Sequence, residues 1–326
     1  MRNVLIFGGS GFLGVHLLQR CLQEDGVQIT VVDIHNPLNH PGLQGFAHRI
    51  HFIPGSILDE SLLNQAIQDQ EIIFQCAAQT SHILSLQNPI LDAEVNVLGN
   101  LRILEAVRLY NPQAVLVYPS TTTVIGRATE EIIDESHPEL PLEIYSANKS
   151  VAEKYYAIYH RIHGLKTLAF RLGNLYGPYG KPRPEYGMTN YFIYRAWHNR
   201  DLTVYGNGDQ LRNLTFVEDA AAMLWEMAHT SIFGEICFAT SPFHHTILEV
   251  AETITQVFGR GRVIQVPWPP DRKRIEIGPV HFSAEKLHAL TGFKMNHDLA
   301  AGLEKTREIL ESAGEAVFTP HHEPRL

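Results

Sequence analysis

Tyr145 and Lys149 stand four residues apart in YSANK, inside the segment EIYSANKSVAEKYYAIYHRI. Its apolar spacing predicts a helix, so the phenol and the ammonium share one face. A free phenol titrates near ~10, and a neighbouring ammonium favours its ionised form, which makes the pair a candidate base for taking a proton from an alcohol. The spacing recurs by chance, and on an exposed helix the same two residues would carry no chemistry. A second cluster, Ser120 to Thr123 in PSTTTVIG, sets four hydroxyls in a row after the apolar run AVLVY. Such a row can cap a helix, form a solvated turn or hold a substrate hydroxyl.

A third candidate is GGSGFLG at 8–14, which follows the apolar run NVLIF and opens a helical pattern. It reads as Gly9-x-Gly11-x-x-Gly14 or as Gly8-x-x-Gly11-x-x-Gly14. Both place glycines where backbone can approach a pyrophosphate at a helix N-terminus. Asp33 lies 19 residues beyond Gly14, at the end of VQITVVD. A carboxylate there accepts from adenosine ribose hydroxyls and repels a 2′-phosphate, so the expected cofactor is NAD rather than NADP.

The elements that must position these groups are legible from periodicity. NVLIFG, VQITVVD, IHFIPG, EIIFQCAA and AVLVYPS are short β-branched runs separated by helical patterns near 12–22, 60–68 and 90–109. Strands alternating with helices predict an α/β fold, a doubly wound parallel sheet of the Rossmann type, with ligands at the carboxyl ends of the strands. After KTLAFRLGN the chain turns to LYGPYGKPRPEYG, rich in Gly, Pro and Tyr. The expected division is a dinucleotide-binding domain over 1–175, rejoined by about 210–240. A smaller mixed α/β substrate-binding domain takes 176–209 and 241–318, and 319–326 forms a tail. In PILDAEVNVLGNLRILEAVRLY apolar residues occupy more than one helical face. A second buried surface follows, against a partner chain in a homodimer or against the second domain.

Composition excludes several classes. The formal net charge of −9 argues against a nucleic-acid partner, which normally shows as a basic patch. No apolar run approaches the ~20 residues of a membrane-spanning helix, and no signal-peptide pattern precedes the first strand, so the expected location is cytoplasmic. The 3 cysteines, Cys21, Cys76 and Cys237, are widely spaced beside apolar segments and read as reduced thiols. The 18 histidines are scattered without zinc spacing, so no metal is expected.

In order along the chain, GGSGFLG, AAQTSH, NVLGNLRILEA, PSTTTVIG, YSANKSVAE, RLGNLYGPYG, LTVYGNGDQLRNLTFVEDAA and FSAEKLHALTGF together resemble the extended short-chain dehydrogenase/reductase superfamily. Within it they resemble the NAD-dependent epimerase/dehydratase family of nucleotide-sugar enzymes, over nearly the whole chain. The resemblance implies that Thr121 completes a catalytic triad with Tyr145 and Lys149. It implies cofactor contacts at Gly8, Gly11, Phe12, Leu13, Gly14, Asp33, Ser56, Ile57, Ala77, Ala78, Gln79 and Asn96, besides Tyr145 and Lys149. For a nucleotide-diphosphate sugar it implies His82, Thr122, Thr123, Asn174, Val204, Tyr205 and Arg212, with Arg272 or Arg274 at the diphosphate.

The 4,6-dehydratases of the family carry Asp-Glu at the two positions after the triad hydroxyl, because eliminating water needs an acid and a base. Here those positions are Thr122 and Thr123, which favours epimerisation, at C4, by reversible oxidation to a 4-keto sugar. The rivals are a 4-ketoreductase that releases its cofactor each turnover, a 4,6-dehydratase with its acid and base elsewhere, and a dinucleotide-binding regulator without turnover. The sequence departs from family habit at Ser56, where Asp is frequent, Gln75 for His, Ile125 for Tyr and Phe238 for Asn. None of these removes a group of the triad.

Overall fold

The computed structural model describes residues 2–269 and 279–318. Seven parallel strands, numbered along the chain, form the central sheet: β1 (Arg2–Phe7), β2 (Val27–Asp33), β3 (Ile50–Pro54), β4 (Ile72–Gln75), β5 (Val115–Thr121), β7 (Lys166–Leu172) and β11 (Ile236–Ala239). Their spatial order is β11-β7-β5-β4-β1-β2-β3. Side chains alternate across the pleat, and both faces are covered. Val4 and Ile6 of β1 join one core with Leu17, Leu18 and Cys21 of α1 (Phe12–Leu22) and Ala220 and Leu224 of α8 (Val217–Met227). Leu5 and Phe7 join the other, with Ile103, Leu104 and Val107 of α5 (Gly99–Tyr110) and Ala152 and Tyr156 of α6 (Ile144–His163). Two-sided burial is why β1 is continuously apolar from Val4 to Phe7, each such side chain contributing about 1.5–3 kcal/mol.

The chain runs outward from β1 through β2 to β3, then returns to β4 and continues the other way. The carboxyl ends of β1 and β4 therefore flank the crevice where a doubly wound sheet takes a ligand. The helix expected over 90–109 is interrupted: α4 (Pro89–Ala93) passes through a π-helical turn, Glu94–Leu98, before α5 begins. Within the turn the buried Asn96 side chain donates to Asp92 and to the Gln79 carbonyl, bonds that a simple apolar periodicity does not register. Two shorter helices, α2 (Glu60–Ala66) and α3 (His82–Gln87), follow β3 and β4.

The remaining strands make small sheets. β8 (Asn174–Tyr176), β10 (Leu211–Phe216) and β12 (His244–Thr246) lie in the order β12-β10-β8. β9 (Asp201–Tyr205) pairs with β13 (Arg262–Val266), and β6 (Ile132–Ile133) with β14 (His281–Phe282). A separate core joins Phe192 and Ile193 of α7 (Met188–Trp197), Val250, Ala251 and Ile254 of α9 (Ile247–Phe258), and Leu299, Leu303 and Leu310 of the helix Leu299–Ala313. Within 210–240, β10 belongs to a small sheet, α8 to the core over α1, and β11 to the edge of the seven-stranded sheet. Among the described residues no helix is long and apolar enough to cross a membrane. All three cysteines are free thiols, and burial pushes Cys76 and Cys237 each up to about 12.

Candidate active site

The turn after β1 is built from bare backbone. Gly8 adopts φ +78°, and a Cβ there would fall 2.5 Å from the Ala77 nitrogen at the end of β4. A Cβ at Gly14 would fall 2.1 Å from the Gly8 oxygen, so the first turn of α1 sits directly on the strand end. Asp33 is buried at the tip of β2; its Oδ2 accepts from the Ser10 N–H at 2.9 Å and its Oδ1 from the His35 N–H at 3.0 Å. The carboxylate thus ties the glycine turn to β2 and keeps further lone pairs for another donor. A side-chain-free cradle beside a fixed carboxylate fits a dinucleotide. Phe12 and Leu13 begin α1, Ala78 follows β4, and Ile57 is buried with its Cδ1 2.5 Å from where a Gly99 Cβ would lie. Ser56 caps its own turn through the Leu58 N–H at 3.2 Å.

Helix α6 carries the phenol and the ammonium. It starts where Glu143 accepts from the Tyr145 and Ser146 N–H groups at 2.8 and 3.0 Å, a carboxylate cap that also suits the helix dipole. It stops at Gly164 in the left-handed conformation. Lys149 is buried; its Nζ donates to the Pro119 carbonyl at 2.8 Å and lies 4.1 Å over the Tyr118 ring. Burial pulls the ammonium down to about 8. Tyr145 is buried too, and its phenol is raised, first by burial and then by the carboxylates of Glu143 and Asp92. The phenol depressed by Lys149 that the sequence led us to expect is therefore not a property of the chain alone. Desolvation and two negative charges win, and ionising Tyr145 needs more positive charge than the protein supplies.

Two members of the hydroxyl cluster, Thr121 and Thr123, form a connected chain. Thr121, the last residue of β5, accepts from the Thr123 N–H at 3.2 Å, and the two threonine hydroxyls lie 3.0 Å apart. The Thr123 hydroxyl is 2.6 Å from that of Ser146, which in turn bonds Glu143. So the row links the end of β5 to the cap of α6, the elements that hold Thr121, Tyr145 and Lys149. Thr122 is buried, and Gly126 closes the turn at φ +63°, where a Cβ would overlap the Leu140 carbonyl.

Behind Tyr145 lies a buried polar network. Asp92, fully buried, accepts from Gln79 Nε2 at 2.7 Å, Asn148 Nδ2 at 2.7 Å and Asn96 Nδ2 at 3.1 Å. Asn96 also donates to the Gln79 carbonyl at 2.9 Å. The sequence singled out Gln79 and Asn96 but not Asp92, Asn148, Glu143 or Ser146. Asn148 was in view within YSANK, and Asp92 interrupts an otherwise apolar helix; those were the available signals.

The other singled-out residues fall in separate places. His82, at the start of α3, packs its ring edge-on against Tyr145, centroids 4.9 Å apart. Asn174 and Arg212 share the small sheet: Asn174 pairs with Leu214, and Arg212 with His245. Arg212 Nη1 donates to the Leu211 carbonyl at 2.8 Å. Tyr205 lies against Trp268 with centroids 5.4 Å apart. Val204 is fully buried in the core between α7 and α9, where strand alternation turns it inward. Arg272 and Arg274 lie outside the described residues.

The model of the NAD dependent epimerase/dehydratase family matches residues 4–235. The chain belongs to this family. Its cofactor is accordingly NAD, and its relatives act on nucleotide sugars. A protein of Methanocaldococcus jannaschii, provisionally named a UDP-glucose 4-epimerase, is 28% identical over 310 residues, 93% of this chain and 96% of its own. A dTDP-glucose 4,6-dehydratase of Streptomyces niveus is 27% identical over 315 residues, 94% of this chain and 92% of its own. The solved structure of Thermus thermophilus UDP-glucose 4-epimerase complexed with NAD superposes with a TM-score of 0.82 at 29% identity, covering 95% of this chain and 99% of that one. Family membership thus fixes fold and cofactor while leaving epimerase and dehydratase relatives side by side.

Proposed function

We propose that the protein is a nucleotide-sugar 4-epimerase that oxidises C4 transiently and keeps its NAD throughout. The observation that carries this reading is the Thr121–Thr123–Ser146 hydroxyl chain, which occupies the end of β5 with groups that cannot ionise near neutral pH. A dehydratase needs there an acid to protonate the departing C6 hydroxyl as well as a base at C5, and this row of hydroxyls supplies neither.

In this reading Tyr145 takes the proton from the C4 hydroxyl, Thr121 orients that hydroxyl, and Lys149, anchored to the Pro119 carbonyl, supplies positive charge one helical turn from the phenol. Gly8, Gly11, Gly14 and Asp33 would hold NAD, which when bound would supply hydride-transfer chemistry at C4 and the further positive charge that the phenol needs. Tyr145 then gives its proton back to the C4 oxygen, after the keto sugar has presented its other face. Asn174 and Arg212 take the diphosphate, the arginine through its planar fork, and Tyr205 lines the pocket for the base. We assign the cofactor to 1–175 with about 210–240, and the sugar nucleotide to 176–209 and 241–318. Exposed apolar side chains on neighbouring helices, Leu98, Leu109, Ile158 and Ile162, support a homodimer built on α5 and α6.

The test is to release cofactor from the purified protein by denaturation, and to incubate the native protein with UDP-, GDP-, CDP- and dTDP-sugars without added cofactor, following products by NMR. A C4 epimer from protein carrying stoichiometric NAD supports the reading. Turnover only on addition of NADH makes the protein a ketoreductase, and a 4-keto-6-deoxy product makes it a dehydratase.

A further inference from the structure

The epimerase reading uses Tyr145, Lys149 and Thr121 and leaves a second acid–base pair unused beside them. His82 Nδ1 lies 3.1 Å from Glu143 Oε1, and the His82 ring packs edge-on against Tyr145 at 4.9 Å. Glu143 is itself held fast: its oxygens accept from the Tyr145 and Ser146 N–H groups, from the Ser146 hydroxyl, and from the Ser85 hydroxyl at 3.3 Å. A carboxylate fixed in this way orients the imidazole with Nδ1–H toward it and leaves Nε2 as the basic nitrogen. Nε2 has no hydrogen-bond partner among the described residues, while the His82 side chain is 46% exposed. A carboxylate–imidazole pair touching the ring of a proposed catalytic phenol is the arrangement of a general base.

We propose that His82, oriented by Glu143, is a second catalytic base, which removes the proton from a carbon next to the transient C4 ketone. Glu143 is its positioning residue. The proposal rests on the reading above in one respect: it places the sugar's C4 oxygen at Tyr145. The step balances without an oxidant. The C–H bond at C3 or C5 breaks and its proton passes to Nε2. Its electron pair forms the enol double bond, while the carbonyl π pair moves onto the C4 oxygen and takes the proton of Tyr145. That phenol is held protonated by burial and by Glu143 and Asp92, which suits it to donate. Reversal restores the ketone. Because the His82 ring reaches water, its new proton exchanges with solvent before return, so a solvent hydrogen ends on carbon. The activity is enolisation of a 4-keto nucleotide sugar, which direct hydride transfer at C4 does not need. Glu143 keeps a lowered value, burial raising it but the His82 and Ser146 bonds outweighing that, so it stays a carboxylate.

The experiment supplies the ketone ready-made. UDP- and dTDP-linked 4-keto-6-deoxyglucose are incubated with the NAD-bearing protein in D2O, and the C3 and C5 proton signals are followed by NMR against a protein-free control. The expected result is loss of one of these signals about 10²-fold faster than in buffer. His82→Phe, which keeps a ring against Tyr145, and His82→Gln should both return exchange to the buffer rate. Glu143→Gln keeps an oxygen for the α6 cap but no charge. The new NH2 displaces acceptor bonds and lowers the melting midpoint, but at a temperature where the variant is folded and holds NAD it should lower exchange about tenfold, an outcome that a purely structural role for Glu143 does not produce. Wild-type exchange at the buffer rate overturns the proposal, as does unchanged exchange in both His82 variants. Inversion of C4 in the nucleotide-sugar panel, with no exchange in the keto probe, sinks this base alone. Exchange without any C4 inversion sinks the epimerase reading alone.

Discussion

Replacing Gly14 by Ala tests how tightly the nucleotide turn is built. The added Cβ would lie 2.1 Å from the Gly8 oxygen, where real contacts essentially never fall below 3.0 Å. Relief requires 3.0 − 2.1 = 0.9 Å of separation between the first turn of α1 and the end of β1. Neither side yields easily. Val15, Leu17 and Leu18 pin the helix in a core where they are fully buried, and Phe7 anchors the strand in the opposite core. Forcing a methyl into such packing costs about 1–3 kcal/mol. At roughly 2–4 °C per kcal/mol the melting midpoint should fall by several degrees. A displacement near 1 Å in a positioning element also costs about 10²-fold in turnover. The assay is thermal unfolding of Gly14→Ala, paired with NAD released on denaturation. Gly45→Ala is the control: nothing lies within 4 Å of its Cβ, and it should be neutral or slightly stabilising. Full wild-type NAD content in Gly14→Ala with a midpoint within about 1 °C would refute the steric reasoning.

Three further outcomes follow from the site. Tyr145→Phe should lose about 10²–10⁴-fold in turnover while retaining NAD, because only the proton acceptor is removed; unchanged kcat in a steady-state assay would show that the base lies elsewhere. Lys149 has a folded value depressed from 10.5 to about 8, so between about pH 8 and 10.5 the unfolded chain binds more protons than the folded one. The charged lysine therefore weakens the fold below about pH 8, and that penalty is relieved as pH rises; Lys149→Met should be more stabilising relative to wild type at pH 7 than at pH 10 in urea unfolding, and an equal difference at both would contradict the burial argument. Asp92→Asn removes a buried charge that receives three amide donors and sets an NH2 among them. A loss of about 2–4 kcal/mol is expected in denaturant unfolding, and a loss under about 0.5 kcal/mol would mean the network is not structural.

What could be read from the sequence is what local pattern encodes. The strands β1, β2, β4 and β5 are apolar runs because helices cover both sheet faces, and the glycine turn and Asp33 announce themselves through spacing alone. Tyr145 and Lys149 were legible as one helical face. Their electrostatics were not, since the phenol's value is set first by burial in the folded chain, then by Glu143 and by Asp92, the last more than 50 positions away. The same limit hid the π turn, whose Asn96 answers to Gln79, and the cap of α6, where Glu143 meets His82. Hydroxyls 120 to 123 allowed three readings locally; the contact of Thr123 with Ser146 joins two of them, Thr121 and Thr123, into a hydrogen-bonded chain between two elements.

The central claim is that hydride leaves and returns to the same carbon, C4, within one active site. Its most direct test is a nucleotide sugar deuterated at C4, chosen from those the protein inverts, turned over in ordinary water without added cofactor. The account predicts a C4 epimer that keeps its deuterium on C4. An epimer in which deuterium at C4 has been replaced by hydrogen would contradict it, placing the inversion in proton exchange with solvent or in a cofactor that leaves between half-reactions.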